Sequence, residues 1–524
     1  MAKSSVYADV IVAGAGPVGL FVACELALHG VSVIVLERDA DSDSVWKQGL
    51  LGTRGMYKPA LEAFYRRGLL PDLLYNEKRA THLEKTSGFQ YAGHFAGRLL
   101  NANLVDFSRF QYHLTGPTFL PAKTTIADIE CQLSKRATER GVRIVRGVEI
   151  SGVEDEGDEV TVWADDQSFK SNWLVACDGG KSTIRKAAGF QFTGTDSELT
   201  CYIALCDVDK PELLGKGLKP TEAGMYIVSG PRNLYVMDFD TTFDRSQTVT
   251  KEHLERVLQR VSGTSVKIEA LELVSTFTDR CKQATQYRKG RIMLAGDSAH
   301  IHSPLGAQGL TTGIADAFNL GWKLASVVKG YASPDLLDTY QLERQPEGAS
   351  TLDWSRSQVV VMRPDPAGKA ISRLVTDLMA TEDGTTYFVN KIWGISQQYD
   401  LVGAQAHPLV GCSVPDFQFE DGAYLGSKLH EGKFMTIDFS GSKALEEATA
   451  LVQHWVGYLS CSVKDRLGMN ALLLRPDGVV AWVAEDEVKV DSWKAALSQW
   501  MILPGETGGA ARLKTMCVKS VETS

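Results

Sequence analysis

The stretch "IMLAGDSAHIHSPLGAQGLTTGIADAFNLGWKLA", residues 292–325, decides the fold. It reads as a short buried strand, an acid at Asp297, a Pro/Gly-rich turn "SPLGAQGL" and a long helical pattern over residues 311–328. Ile314, Phe318 and Leu324 supply its apolar positions, and Asp316 and Lys323 are expected to face solvent. A turn of that composition lets backbone N–H groups converge on an anion at a helix N-terminus.

A related unit, "YADVIVAGAGPVGLFVACELALHG", occupies residues 7–30. Gly14, Gly16 and Gly19 follow a β-branched run with G-x-G-x-x-G spacing, and Leu20, Cys24 and Ala27 form one stripe of the helix behind them. A second strand, "VSVIVLE", ends on Glu37, 23 residues after Gly14. The first glycine permits the tight turn, the second lets backbone approach a pyrophosphate, and the third lets helix and strand pack closely. An acid ending the second strand accepts from a ribose hydroxyl. Strand, loop, helix, strand and acid in that order point to a bound dinucleotide. They do not separate NAD(P) from FAD.

The stretch at 292–325 separates them. FAD is long, so a grip on its ADP half leaves the ribityl chain and ring to be held elsewhere. Asp297 suits a ribityl hydroxyl, and the helix N-terminus behind it suits negative charge on the reduced ring. This stretch resembles the GD motif of the group A flavoprotein monooxygenases, the para-hydroxybenzoate hydroxylase superfamily. Between the two loops, "WLVACDGGKSTIRKAAG", residues 173–189, resembles that family's DG motif through Asp178, Gly179, Ser182 and Arg185. The resemblance covers at least residues 8–350, including "LLDTYQLERQPEG".

The resemblance implies FAD contacts from Gly14, Gly16, Gly19, Glu37, Arg38, Asp178, Asp297, Pro304, Gly306, Gly309 and Leu310. It implies NAD(P)H as reductant, O₂ addition at the flavin C4a to give a hydroperoxide, and transfer of the distal oxygen to a phenol or polyketide-like aromatic ring. No catalytic side chain or substrate-activating base is assigned. The chain also departs from the family pattern. Thr311 stands where an Asn is usual, Pro59 where an Arg is common, and Thr124 or Thr125 where a Gln is often found. The pyrophosphate contact is therefore assigned to Arg54 in "LGTRG".

Residues 190–285 alternate like strands, in "TCYIALCDVD" and "GMYIVSGPRNLYVMDFD". The resemblance makes this a sheet roofing the substrate pocket, where Tyr226 and Tyr235 either face a planar substrate or are ordinary sheet packing. Arg232 reads as a solvated turn residue, and 351–399 as helices interrupted at "RPDPAGKA". From about residue 400 the chain resembles the thioredoxin-like C-terminal domain of larger aromatic hydroxylases such as phenol hydroxylase, without a C-x-x-C.

The expected fold is therefore α/β. A Rossmann-type FAD-binding domain (1–189, with a short substrate-side insertion near 75–110) carries an antiparallel-sheet substrate domain at 190–285. A second FAD-binding part and helical linker (286–399) and the thioredoxin-like domain (400–524) complete it.

Bulk properties narrow the classes. At 524 residues two or three domains are expected, and a net charge of −9 argues against nucleic acid or anionic membranes as partners. No run reaches the roughly 18–20 apolar residues that span a bilayer. Nine cysteines without a C-x-x-C pair read as reduced thiols of a cytoplasmic protein, and Cys201 and Cys206 fall on opposite faces of one strand. Arg140, Arg143 and Arg146 read as a solvated face among acids. No metal is expected, His300 and His302 being read as lining the flavin loop, and a homodimer is. Hydroxylation leads the readings. Baeyer–Villiger insertion or epoxidation on the same fold comes next, then a flavin dehydrogenase or reductase without oxygen transfer, and last a non-catalytic flavin binder.

Overall fold

Strand Val6–Ala13 lies inside a largely parallel sheet, with Val33–Glu37 on one side and Gln167–Ala176 on the other. Arg143–Arg146 extends it beyond Val33–Glu37, and Ile292–Leu294 beyond Gln167–Ala176. Val10 to Ala13 are wholly buried, as befits an apolar strand covered on both faces. In a computed structural model, which describes residues 6–74, 80–165 and 167–503, the register aligns Ala13 with Ala176 and Ala176 with Leu294. Three strands of one direction thus end side by side. The turns beginning at Gly14, Cys177 and Ala295 all leave from one edge, where parallel α/β sheets place their ligands. Cys517 lies outside the described residues; the other eight cysteines are free thiols.

A second sheet is antiparallel, in the order Gly217–Pro220, Gly224–Val228, Asn233–Asp238, Thr200–Val208, Ile268–Thr278. Its alternation separates two faces. Tyr202, Tyr226, Leu234 and Val236 pack against the amphipathic helix Lys251–Ser262 through Leu254, Val257, Leu258 and Val261. Tyr226 belongs to this covered face and donates from its hydroxyl to the Leu214 carbonyl at 2.9 Å. Of the two tyrosines expected over a substrate, Tyr226 is therefore packing. Cys201 and Cys206 are both buried, in different clusters on opposite faces.

The helix Gly309–Val328 runs through the interior, against Pro17–Leu28, Lys58–Tyr65 and Asp338–Met362. Asp316 and Lys323, expected in solvent, are both 0% exposed. They face charges brought by the helix Asp338–Met362 and by the C-terminal region. Lys323 Nζ lies 2.8 Å from Glu343 Oε1. Arg475 clasps both Glu343 oxygens, at 2.9 and 2.8 Å, and also pairs with Asp477. Asn319 donates to Glu343 at 2.6 Å, and the Trp322 indole donates to Asp477 at 3.2 Å. A polar stripe usually marks a solvated helix face; here it meets a complementary stripe and is sealed.

Residues 434–497 fold around a four-stranded sheet ordered Val456–Ser460, Phe434–Asp438, Ala471–Leu474, Val480–Ala484. The first two strands are parallel across the helix Lys443–Ala450, the rest antiparallel, and Val490–Leu497 closes the unit: a thioredoxin-like arrangement. No helix among the described residues is long and apolar enough to cross a membrane.

Burial pushes the Glu343 carboxyl upward, but Arg475 and Lys323 overcome this and hold it at about 2. Its folded value lies below its unfolded one, so its contribution is complete above the ordinary carboxyl range and lost as pH falls toward 2. Glu343→Gln should cost about 3–5 kcal/mol at pH 7 in urea unfolding, because Arg475 loses its buried partner. The difference from wild type should shrink as the medium is acidified below the carboxyl range. A cost under about 1 kcal/mol would mean the cluster is replaceable.

Candidate functional site

Between the parallel-sheet edge and the uncovered face of the antiparallel sheet lies a cavity of about 740 Å³. One end is walled by Gly16, Pro17, Val18, Cys177, Gly179, Ala295 and Asp297, from the three adjacent turns. Pro304, Leu305, Gly306, Ala307, Gly309 and Leu310 close a second side. The segment Trp46, Leu51, Thr53, Arg54 and Gly55 forms a strap along a third.

The far wall is the antiparallel sheet. Cross-strand pairing puts Ile227, Tyr235, Ile203 and Ser275 in one row, and Met225 and Met237 beside them with Phe277. Tyr235, unlike Tyr226, faces the cavity. Burial raises its phenol, and the neighbouring Arg54 guanidinium opposes this.

The first loop is shut against the protein on two glycines and open on the third. A Cβ on Gly14, whose φ is +102°, would lie 2.4 Å from the Cys177 carbonyl oxygen, and one on Gly19 would lie 2.1 Å from that of Gly14. A Cβ on Gly16 would meet nothing within 4 Å. That is the pattern of a loop pressed onto its sheet and helix with one bare stretch of backbone offered outward. Glu37 braces it, accepting from Ala15 N at 2.7 Å and Asp39 N at 2.9 Å. Arg38 points outward with a 68% exposed side chain, next to Asp39.

Asp178 does not wall the cavity. One oxygen accepts from Ile184 N at 3.1 Å; the other, Oδ1, is buried with no partner among the described residues. Arg54 donates from Nη1 to the carbonyls of Leu51 and Thr53, each at 2.9 Å, and among the described residues Nε and Nη2 have no partner. Burial lowers its guanidinium from the ordinary arginine value.

The second loop is held from behind. Asp316 Oδ2 accepts from Gly296 N at 3.0 Å and lies 2.7 Å from His300 Nε2, while Oδ1 accepts from Arg344 Nε at 2.8 Å. Burial opposes ionisation of Asp316, yet His300 and Arg344 keep its carboxyl below the ordinary range. Two positions flanking Asp297 are thus tied to one buried carboxylate. His300 belongs to this brace and not to the cavity wall as expected; His302 does line it. Gly306 at φ +93° and Ala307 at φ +54° turn the chain sharply, and Gln358 Nε2 donates to the Leu305 carbonyl at 3.0 Å.

Of the positions expected from sequence, Gly16, Arg54, Asp297, Pro304, Gly306, Gly309 and Leu310 converge on the cavity; Gly14, Gly19, Glu37, Arg38 and Asp178 do not touch it. The site fits a long dinucleotide cofactor. A bare backbone opening at Gly16, the Arg54 guanidinium with no carboxylate partner among the described residues, and a helix N-terminus surround one volume, which is in the ~300–1,000 Å³ range of small-molecule sites. Sequence reading picked out Arg54 of the strap but missed its neighbours Trp46, Leu51 and Thr53, and missed His94, also in the cavity wall, because none of these carries a motif. Period-two alternation announced the sheet but not which face would be open.

Residues 7–355 match the FAD binding domain family, and residues 407–504 the family described as aromatic-ring hydroxylase, C-terminal. A protein of Claviceps purpurea (strain 20.1) named as a monooxygenase is 92% identical over 97% of this chain and 100% of its own. The rifampicin monooxygenase of Streptomyces venezuelae is 34% identical, covering 91% of this chain and 96% of its own. The solved anhydrotetracycline hydroxylase OxyS from Streptomyces rimosus superposes with a TM-score of 0.81 at 31% identity, over 95% of this chain and 99% of that one. The chain belongs to the group A FAD-dependent aromatic monooxygenases.

Proposed function

We propose that this protein uses NAD(P)H and O₂ to hydroxylate a flat, largely apolar aromatic substrate of phenol or polyketide type, with FAD held in the 740 Å³ cavity. The observation that carries this reading is the open face of the antiparallel sheet. It sets an almost unbroken apolar plane of Ile203, Met225, Ile227, Met237 and Phe277 opposite the end of the cavity where the two loops meet. Relatives named for oxygenating rifampicin and anhydrotetracycline support a large substrate.

When bound, FAD supplies the redox chemistry, passing electrons from NAD(P)H to O₂ and one oxygen atom to the ring. The chain's residues bind, orient and exclude water. Gly14, Gly16 and Gly19 would admit the pyrophosphate, with Glu37 at a ribose and Arg38 beside it. Asp178 and Arg54 would face the phosphate and linker region. Asp297 would accept from a ribityl hydroxyl. Pro304 would shape the turn, and Gly306, Gly309 and Leu310 would present backbone N–H groups and the positive end of a 20-residue helix to negative charge on the ring. The apolar sheet face keeps water from the reacting carbon. Residues 190–285 act here as the substrate-binding domain within the FAD-binding parts 1–189 and 286–399; of the expected domain 400–524, whose part 504–524 lies outside the described residues, residues 400–503 support the helix Gly309–Val328 from behind, Asp477 accepting from Trp322.

The test is anaerobic stopped-flow absorbance of the FAD-loaded protein mixed with NADPH or NADH, with and without phenols and hydroxyanthraquinones. Flavin bleaching should accelerate by orders of magnitude with an accepted compound, and labelled O₂ should then leave one labelled oxygen in the product. Fast bleaching that ignores the compounds, or turnover without label, would favour a reductase or dehydrogenase.

Asp316→Asn should weaken FAD binding at least tenfold in a fluorescence titration, about 1.4 kcal/mol or more, because the brace behind Asp297 loses its charge. Unchanged affinity would separate the brace from the cofactor.

A further inference from the structure

The cavity contains one histidine that neither the glycine loops nor the brace uses. His94 sits on the strand Tyr91–Phe95, which pairs with Arg98–Asn101 through a turn at Ala96 and Gly97, both at positive φ (+49° and +79°). Positive φ at both central residues is the tight hairpin turn whose twist matches its strands. It aims the Gly97 N–H back at His94 Nδ1, 3.4 Å away. A ring nitrogen that accepts from an amide carries no proton, so the neutral ring has its proton on Nε2. Nε2 has no partner among the described residues, and the residue walls the cavity. Burial lowers the imidazole to about 4, which keeps the neutral tautomer at working pH.

The hairpin is fixed with the precision a binding group requires. Gln358, fully buried, accepts from Ala96 N at 3.0 Å and donates to the Leu305 carbonyl at 3.0 Å, so one side chain ties the turn beside His94 to the second loop. The Trp393 indole donates to the Ala92 carbonyl at 2.7 Å, and Phe95 packs edge-on to Trp354 at 4.7 Å between centroids. The sheet wall facing this volume offers only Tyr235 and Ser275 as polar groups. A donor held rigidly beside an apolar plane and open to the cavity is free to meet an acceptor on a bound molecule.

We propose that His94 orients the substrate by donating from Nε2 to a hydrogen-bond-accepting oxygen, a ring carbonyl or phenolate, on a flat polycyclic molecule lying on the Met225, Ile227, Met237 and Phe277 face. The inference rests on the cavity taking an aromatic substrate and adds how that substrate is recognised. His94 is a donor here and not the base that removes a phenolic proton, because its only unprotonated nitrogen is spent on Gly97.

The test is equilibrium binding of two probes that differ in the ring oxygens, anthraquinone-2-carboxylate and anthracene-2-carboxylate, to the FAD-loaded protein. Binding is followed by flavin absorbance and calorimetry. Wild type should prefer the quinone by about tenfold, the scale of one well-formed hydrogen bond. His94→Phe should bring the ratio close to one with FAD content and melting temperature unchanged. His94→Gln, whose amide N–H reaches the same place, should restore most of the preference. If His94→Phe loses FAD, the shorter polar His94→Asn serves in its place with the same expected loss.

A preference that survives His94→Phe or His94→Asn overturns the proposal. So does a wild type that prefers neither probe or binds neither, or a His94→Gln no better than His94→Phe. Failure of the hydroxylase reading is a separate event. It would appear as NAD(P)H oxidation that no aromatic compound accelerates, whatever the binding ratio.

Discussion

The buried carboxylate of Asp316 holds together parts of the molecule far apart in sequence. It accepts from the backbone of Gly296, pairs with His300 and takes the guanidinium of Arg344. An unpaired charge at that depth would cost several kcal/mol, so each partner is constrained by the others. The loop bearing Asp297 is thereby fixed relative to two helices. A few residues along the same helix, Lys323 and Asn319 meet Glu343, and Glu343 meets Arg475. The second loop and the C-terminal unit thus share a single sealed polar seam.

That seam gives the C-terminal unit a physical role without thiol chemistry. Trp322 on the loop helix donates to Asp477 and packs edge-on against Phe434. Arg66 reaches Ser413 and the Asp477 carbonyl, and Arg67 clasps Glu25 while donating to the carbonyls of Leu429 and Pro476. These groups seal the back of the helix whose N-terminus opens onto the cavity. Rigidity at the rear lets the front wall present fixed dipoles instead of reorganising ones.

The front depends on a division of faces. The antiparallel sheet has one side on the helix Lys251–Ser262 and the other on the cavity, and adjacent residues of one strand, Tyr226 and Ile227, serve opposite purposes. A shift of one residue in register would exchange them. The hairpin bearing His94 adds a polar side chain to the cavity wall, beside the largely apolar sheet face.

Much of this was legible along the chain. G-x-G-x-x-G after a strand, an acid ending the next strand, and Asp297 before a Pro/Gly turn are local signals, because each motif packs its chemistry into one strand–turn–helix. The sequence by itself determined the parallel-sheet frame, the cofactor class and the alternation of the second sheet. It misjudged Asp316 and Lys323, since a charged residue at helical spacing looks the same whether it meets water or a buried partner. Tertiary structure alone decided which sheet face is open, that His300 braces the loop from behind, and that His94 and the strap residues around Arg54 reach the cavity. Those outcomes depend on pairings between residues tens to hundreds of positions apart. No local propensity encodes such pairings; the burial of complementary charge and apolar surface selects them.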